Sequence, residues 1–147
     1  MQPFPHHYRA KVKSDAGGEL SDLTSPGLAD HHVAPPAEFG GTGAQWSPET
    51  LLTGAVVSCY VLGFRTIAGA SKLNWTAVEC NVLLTLDRVG HAMRFTVLEL
   101  DVALVVPDAR RAERAVRILE KAKEDCLITN SLSAEVTLRP RIEVRES

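Results

Sequence analysis

The sequence predicts an α+β fold in which helices pack on a largely antiparallel sheet. Three observations carry that prediction: an uncharged run opening at Ser47-Pro48-Glu49, two alternating apolar segments joined by a short polar turn over residues 76–106, and an amphipathic helix leading into a last alternating segment at 134–144. With 147 residues the chain fits one domain, 1–147, able to bury most of its apolar surface without staples.

Taken in order, residues 7–13 (HYRAKVK) and 19–24 (ELSDLT) flank the turn-forming DAGG and predict a short N-terminal hairpin. Residues 25–43 (SPGLADHHVAPPAEFGGTG) predict an irregular connection, long enough to be a candidate for lining a site. Ser47 is then an N-cap, Pro48 the first helical residue, and Glu49 an acid at the positive end of the helix dipole. The helix runs from Pro48 to about Ala70, and its apolar residues surround the axis, the pattern of a helix covered on most sides. In so small a chain, that cover calls for a second subunit, so a dimer is expected.

TAVECNVLLTL places Val78, Cys80, Val82, Leu84 and Leu86 on one face of a strand, and Asp87 to Gly90 supplies a turn. Residues 92–106 return with Leu98, Leu100, Val102, Leu104 and Val106 aligned. Pro107-Asp108 ends that strand and caps a second helix whose stripe is Ala112, Ala115, Val116, Leu119, Ala122 and Cys126. AEVTLRPRIEV then alternates strictly, and Pro140 predicts an edge or a bulge.

Composition narrows the function. With 16 Lys and Arg against 18 Asp and Glu, scattered along the chain, no basic excess is available to neutralise a nucleic acid backbone. The uncharged stretch 50–64 is shorter than the ~20 apolar residues that span a bilayer, so it reads as a buried helix and no membrane partner is expected. MQPFPHHYR has no secretory pattern, which makes the cytoplasm the default compartment. Three widely spaced cysteines there argue against a structural disulfide framework; any disulfide would be transient.

Two thiols sit on predicted helices, Cys59 in VVSCYVLGF and Cys126 in KAKEDCLITNSL, 67 positions later. Each alone reads more often as a small buried hydrophobe than as a reactive group. Two thiols that meet can exchange electrons. Cys80, with aliphatic neighbours along its face, reads as core filling. Glu49 reads as a first-turn charge, and at ~1.5 Å rise per residue it stands ~15 Å along the axis from Cys59, so any joint role needs a bridging residue, a kink or the partner subunit. The pairs His6-His7 and His31-His32 lack metal-converging spacing, GGTG lacks the rest of a phosphate loop, and Ser58 and Ser131 lack a nucleophile-elbow context. No cofactor is expected.

SPETLLTGAVVSC, followed by KAKEDCLITNSL and an alternating terminal strand, resembles the osmotically inducible protein C and organic hydroperoxide resistance family (OsmC/Ohr), in its OsmC-like subgroup. The resemblance covers residues 37–145, with 1–36 as N-terminal hairpin and loop. It implies antiparallel sheets around two long central helices in an intertwined homodimer. It also implies a stress-response, antioxidant peroxidase activity on organic hydroperoxides, with Cys59 attacking the peroxide, Cys126 resolving the product to a disulfide, and an external dithiol as reductant. Glu49 would hold an arginine near Cys59. This chain carries Glu38 near the place where some members have that arginine, leaving Arg9 and Arg65 as substitutes. An OsmC-like module that binds a small ligand without turning it over is the alternative.

Overall fold

A computed structural model describes residues 1–146. The chain clusters into two units, one through Leu52 and the other from Thr53, with the boundary inside the long first helix.

In the N-terminal unit, β1 (Lys11–Ser14), β2 (Ser21–Thr24) and β3 (His31–Val33) form an antiparallel sheet in that order. The expected hairpin is present with shorter strands, and the connection expected to be irregular contributes the third. Periodicity missed β3 because it is only His-His-Val; its antiparallel pairing with β2 sets His32 opposite Asp22, with Nδ1 2.8 Å from the carboxylate. A single 3₁₀ turn, Ala37–Phe39, follows. Gly41 is required here, since a Cβ at that position would lie 1.7 Å from the Pro35 carbonyl oxygen.

Helix α1 spans Pro48–Ala70, as expected from its opening residues. The cap is reciprocal: the Thr50 N–H donates to Ser47 Oγ at 3.1 Å and the Ser47 N–H donates to Thr50 Oγ1 at 2.8 Å, so Thr50 takes the place of the usual Glu of a capping box. At the far end the Leu73 N–H returns to the Ala68 carbonyl and the Lys72 N–H to that of Gly69, with Lys72 left-handed at φ 53°. This is a Schellman stop with lysine where glycine is usual. By length and composition α1 is sufficient to cross a membrane, contrary to the expectation from its uncharged stretch, with mean hydropathy 1.6 over its most apolar window. Its Val56, Tyr60, Phe64 and Ala68 ridge is nevertheless packed into a protein core.

In the C-terminal unit, β4 (Ala77–Val89) and β5 (Ala92–Val106) form the expected hairpin. The turn is tighter than expected and centres on Gly90, whose φ of 62° suits the first position of a type II′ turn. A bulge opposite Thr85 and Leu86 leaves Thr96 of β5 without a partner, and beyond it Leu86 is 38% exposed. Helix α2 spans Ala112–Glu124, α3 spans Leu127–Asn130, and β6 spans Glu135–Val144.

The expected antiparallel sheet needs correction at β6, which pairs parallel to β5, from Val97↔Glu135 to Val106↔Val144. The helical crossover through α2 explains this: it returns the chain to the end of the sheet where β5 began. β6 is an edge strand, which accommodates Pro140. The inward face of β5, from Leu98 through Val106, meets the α1 ridge and Ala115, Leu119 and Ala122 of α2 in one apolar core. The outer sheet face carries ion pairs, Arg139 with Glu99 at 3.2 Å and Arg141 with Asp101 at 3.5 Å.

Candidate active site

Cys59 lies in α1 one residue before the buried Tyr60, and its partly buried side chain packs against the core. Cys126 is 3% exposed. It does not continue the α2 stripe as expected: α2 gives way at Asp125, and Cys126 has extended backbone (φ −69°, ψ 107°) as the residue that opens α3. The polar residues after it build the turn. The Asn130 side-chain amide donates to the Glu124 carbonyl at 2.9 Å, while the Thr129 hydroxyl (3.0 Å) and the Asn130 N–H (2.9 Å) both donate to the Cys126 carbonyl. Thr129 is itself buried.

That turn brings the two cysteines together. The Cys59 and Cys126 thiols are close enough to act on each other's ionisation, and the main-chain N–H groups of Ile128 and Leu127 face the Cys59 sulfur. These contacts act on the thiol in opposite directions. Burial pushes the Cys59 pKa up and the neighbouring Cys126 adds to the rise, whereas the two N–H groups favour the thiolate; the net displacement is upward. Sequence reasoning missed the two N–H donors, since main-chain groups leave no residue-type signal; the polar Thr129 and Asn130 next to a cysteine are the one available hint.

The third thiol has a different setting. Cys80 lies on the inner face of β4, paired with Val102, where burial, then Asp101 and Cys126, push it up to about 12. At neutral pH it stays protonated, as a packing residue does.

Glu49 stands in the first turn of α1 in the N-terminal unit. There it lines a cavity of about 410 Å³ with the apolar side chains of Val12, Val33, Pro36 and Phe39. Of the two arginines offered as substitutes, Arg65 lies over the Trp75 ring, 6.0 Å from its centroid, and Arg9 lines a separate groove with Lys11 and Ser25. Arg65 is thereby engaged by the indole.

Comparison with known proteins places this geometry in context. Peroxiredoxin OsmC of Escherichia coli K12 is 27% identical over 92 residues, 63% of this chain; the match spans 64% of that relative's length, short of two thirds. An OsmC-like protein of unknown function from Vibrio cholerae superposes with a TM-score of 0.85 at 17% identity, covering 93% of this chain and all of that one. An organic hydroperoxide resistance protein OsmC from Legionella pneumophila gives 0.75 at 22% identity, covering 97% of this chain and 100% of its own. These structural likenesses establish a shared fold. The model of the OsmC-like protein family matches residues 41–141, well over half the chain, and the chain belongs to that family.

Proposed function

We propose that this protein is a thiol-dependent peroxidase that reduces organic hydroperoxides to alcohols. The observation that carries the proposal is the juxtaposition of the Cys59 and Cys126 thiols, supported by the family's peroxiredoxin-named relative. The Cys59 thiolate attacks the distal peroxide oxygen; the O–O bond breaks, the alkoxide leaves and takes a proton, and Cys59 becomes a sulfenic acid. Cys126 then attacks that sulfur, water departs, and a disulfide joins the two residues. An external dithiol restores both thiols through a mixed disulfide.

In this scheme the N–H groups of Leu127 and Ile128 favour the attacking anion against the cost of burial. Glu49 is assigned a supporting role at the head of α1, holding the cation that the resemblance implies. We further infer a homodimer, because α1 presents Leu62, 62% exposed, together with partly buried Val57 outside its core-packed ridge. A cytoplasmic setting supplies the reductant, with neither nucleic acid nor membrane as partner.

Steady-state reduction of cumene hydroperoxide with a dithiol, abolished in Cys59→Ser, is the expected result; no turnover by the wild type at saturating dithiol defeats the proposal. A second reading, a small-ligand-binding module with little peroxidase activity, is favoured by the upward displacement of the Cys59 pKa and by the apolar cavity beside Glu49. Apolar ligand binding that persists in Cys59→Ala, without peroxide turnover in the wild type, would select it.

A further inference from the structure

Tyr60 follows Cys59 in α1 and is fully buried, on a ridge whose other members, Val56, Phe64 and Ala68, carry no polar atom in their side chains. A phenylalanine would fill nearly the same volume without burying a hydroxyl, a group that costs about 1–3 kcal/mol when left unpaired. Here the hydroxyl is paired: it donates to the Leu119 carbonyl at 2.9 Å. Burial foremost, and then Cys80 and Cys126, hold the phenol protonated, as a donor must be. Leu119 lies inside α2, where its carbonyl already belongs to the helix ladder, so α2 does not need the tyrosine in order to form.

What the bond adds is direction. Apolar contact is non-directional and tolerates small sliding and rotation of α1 on its bed, whereas a hydrogen bond to a fixed carbonyl does not. From Leu119 the chain runs to Cys126 through further fixed points. The Asp125 N–H donates to the Lys121 carbonyl at 3.0 Å, Asn130 Nδ2 to the Glu124 carbonyl at 2.9 Å, and Thr129 Oγ1 to the Cys126 carbonyl at 3.0 Å. One end of this run is tied to residue 60, and the other carries the sulfur that meets residue 59.

We propose that Tyr60 is a positioning residue for the resolving step, its hydroxyl locking the Cys59 turn of α1 against α2 so that Cys126 stands ready to attack the sulfenic acid. This rests on the thiol peroxidase reading above. In the step, a bond forms between the two sulfurs, the S–OH bond of Cys59 breaks, and the departing hydroxide leaves as water with the Cys126 proton. Such an intramolecular attack depends steeply on alignment. Formation of the sulfenic acid needs only Cys59 and the peroxide.

Rapid mixing of the full chain with one equivalent of cumene hydroperoxide, timed dimedone quenching and mass spectrometry separate the two steps. In Tyr60→Phe, sulfenic acid should form within about twofold of the wild-type rate, while disulfide formation slows about tenfold and the Cys59 dimedone adduct accumulates. Thr129→Val, which cuts the buried bond at the other end of the run, should shift the partition the same way, so the result does not hang on the folding of one variant. Arg114→Ala removes an exposed guanidinium that donates to the Ser71 carbonyl just past α1, and should leave the partition as in the wild type. Wild-type disulfide rates in both Tyr60→Phe and Thr129→Val overturn the proposal. Equal slowing in Arg114→Ala overturns it too, since that marks general loosening. A wild-type chain whose Cys59 resists the hydroperoxide overturns the peroxidase reading instead, and shows itself before any substitution is made.

Discussion

Cys59 and Cys126, 67 positions apart in the chain, come together as interacting thiols, and the N–H groups of the two residues that follow Cys126 face the Cys59 sulfur. The turn that delivers the second thiol therefore also delivers the groups that favour the anion of the first.

Removing the second thiol should uncouple the cycle. In Cys126→Ser, Cys59 is expected to react once with a hydroperoxide and remain a sulfenic acid, with dithiol-supported turnover reduced about tenfold or more because an external thiol must then do the resolving. Dimedone labelling of Cys59 and a coupled turnover assay check this.

The main-chain donors can be tested one at a time. Cys126 has φ −69° and ψ 107°, a conformation that a following proline accepts, and Leu127 opens α3 with its side chain 66% exposed. Leu127→Pro should therefore delete one N–H while α3 survives. The expected outcome is a further rise in the Cys59 pKa, read as a shift of its alkylation rate profile to higher pH.

The same logic fixes the sign of the pH dependence. The thiolate is the nucleophile and the Cys59 pKa is displaced upward, so the rate of reaction with hydroperoxide should still be climbing at the ordinary thiol value of ~8.5. For stability the direction reverses. Cys59 and Cys80 both bind their protons more tightly folded than unfolded, so their contribution is complete below the unfolded thiol pKa and is lost as pH rises through the folded values, which for Cys80 means toward about 12. Cys80→Val should flatten the part of that alkaline decline owed to Cys80, measured by denaturant midpoints across the pH range.

Away from the site, Lys72 occupies the left-handed position that ends α1. Lys72→Gly should stabilise the protein by about 1 kcal/mol, raising the melting temperature by roughly 2–4 °C. Ser47→Ala should cost about 1 kcal/mol through loss of the reciprocal cap with Thr50.

The extent of α1 was legible because Ser47 and Pro48 announce a start, and β5 because five aliphatic residues alternate without interruption. What escaped detection depends on contacts distant in sequence. The parallel placement of β6 follows from the path of α2, not from the alternation of 134–144, which reads the same in either direction. β3 has three residues and no periodicity to detect. For the site, the residue types flagged Cys59 and Cys126, but their meeting depends on the break at Asp125. A helical stripe extrapolated from Ala122 gives no warning of that break, since Cys126 has the right spacing to continue it.

The central claim is that these two sulfurs form a redox couple, and the most direct measurement is peptide mapping by mass spectrometry after the reduced protein meets one equivalent of an organic hydroperoxide. A single cross-linked species joining the Cys59 and Cys126 peptides, two hydrogens lighter than the reduced pair and fully reversed by dithiol, is the expected product. Cys59 recovered unmodified, or oxidised but never joined to Cys126, would contradict it.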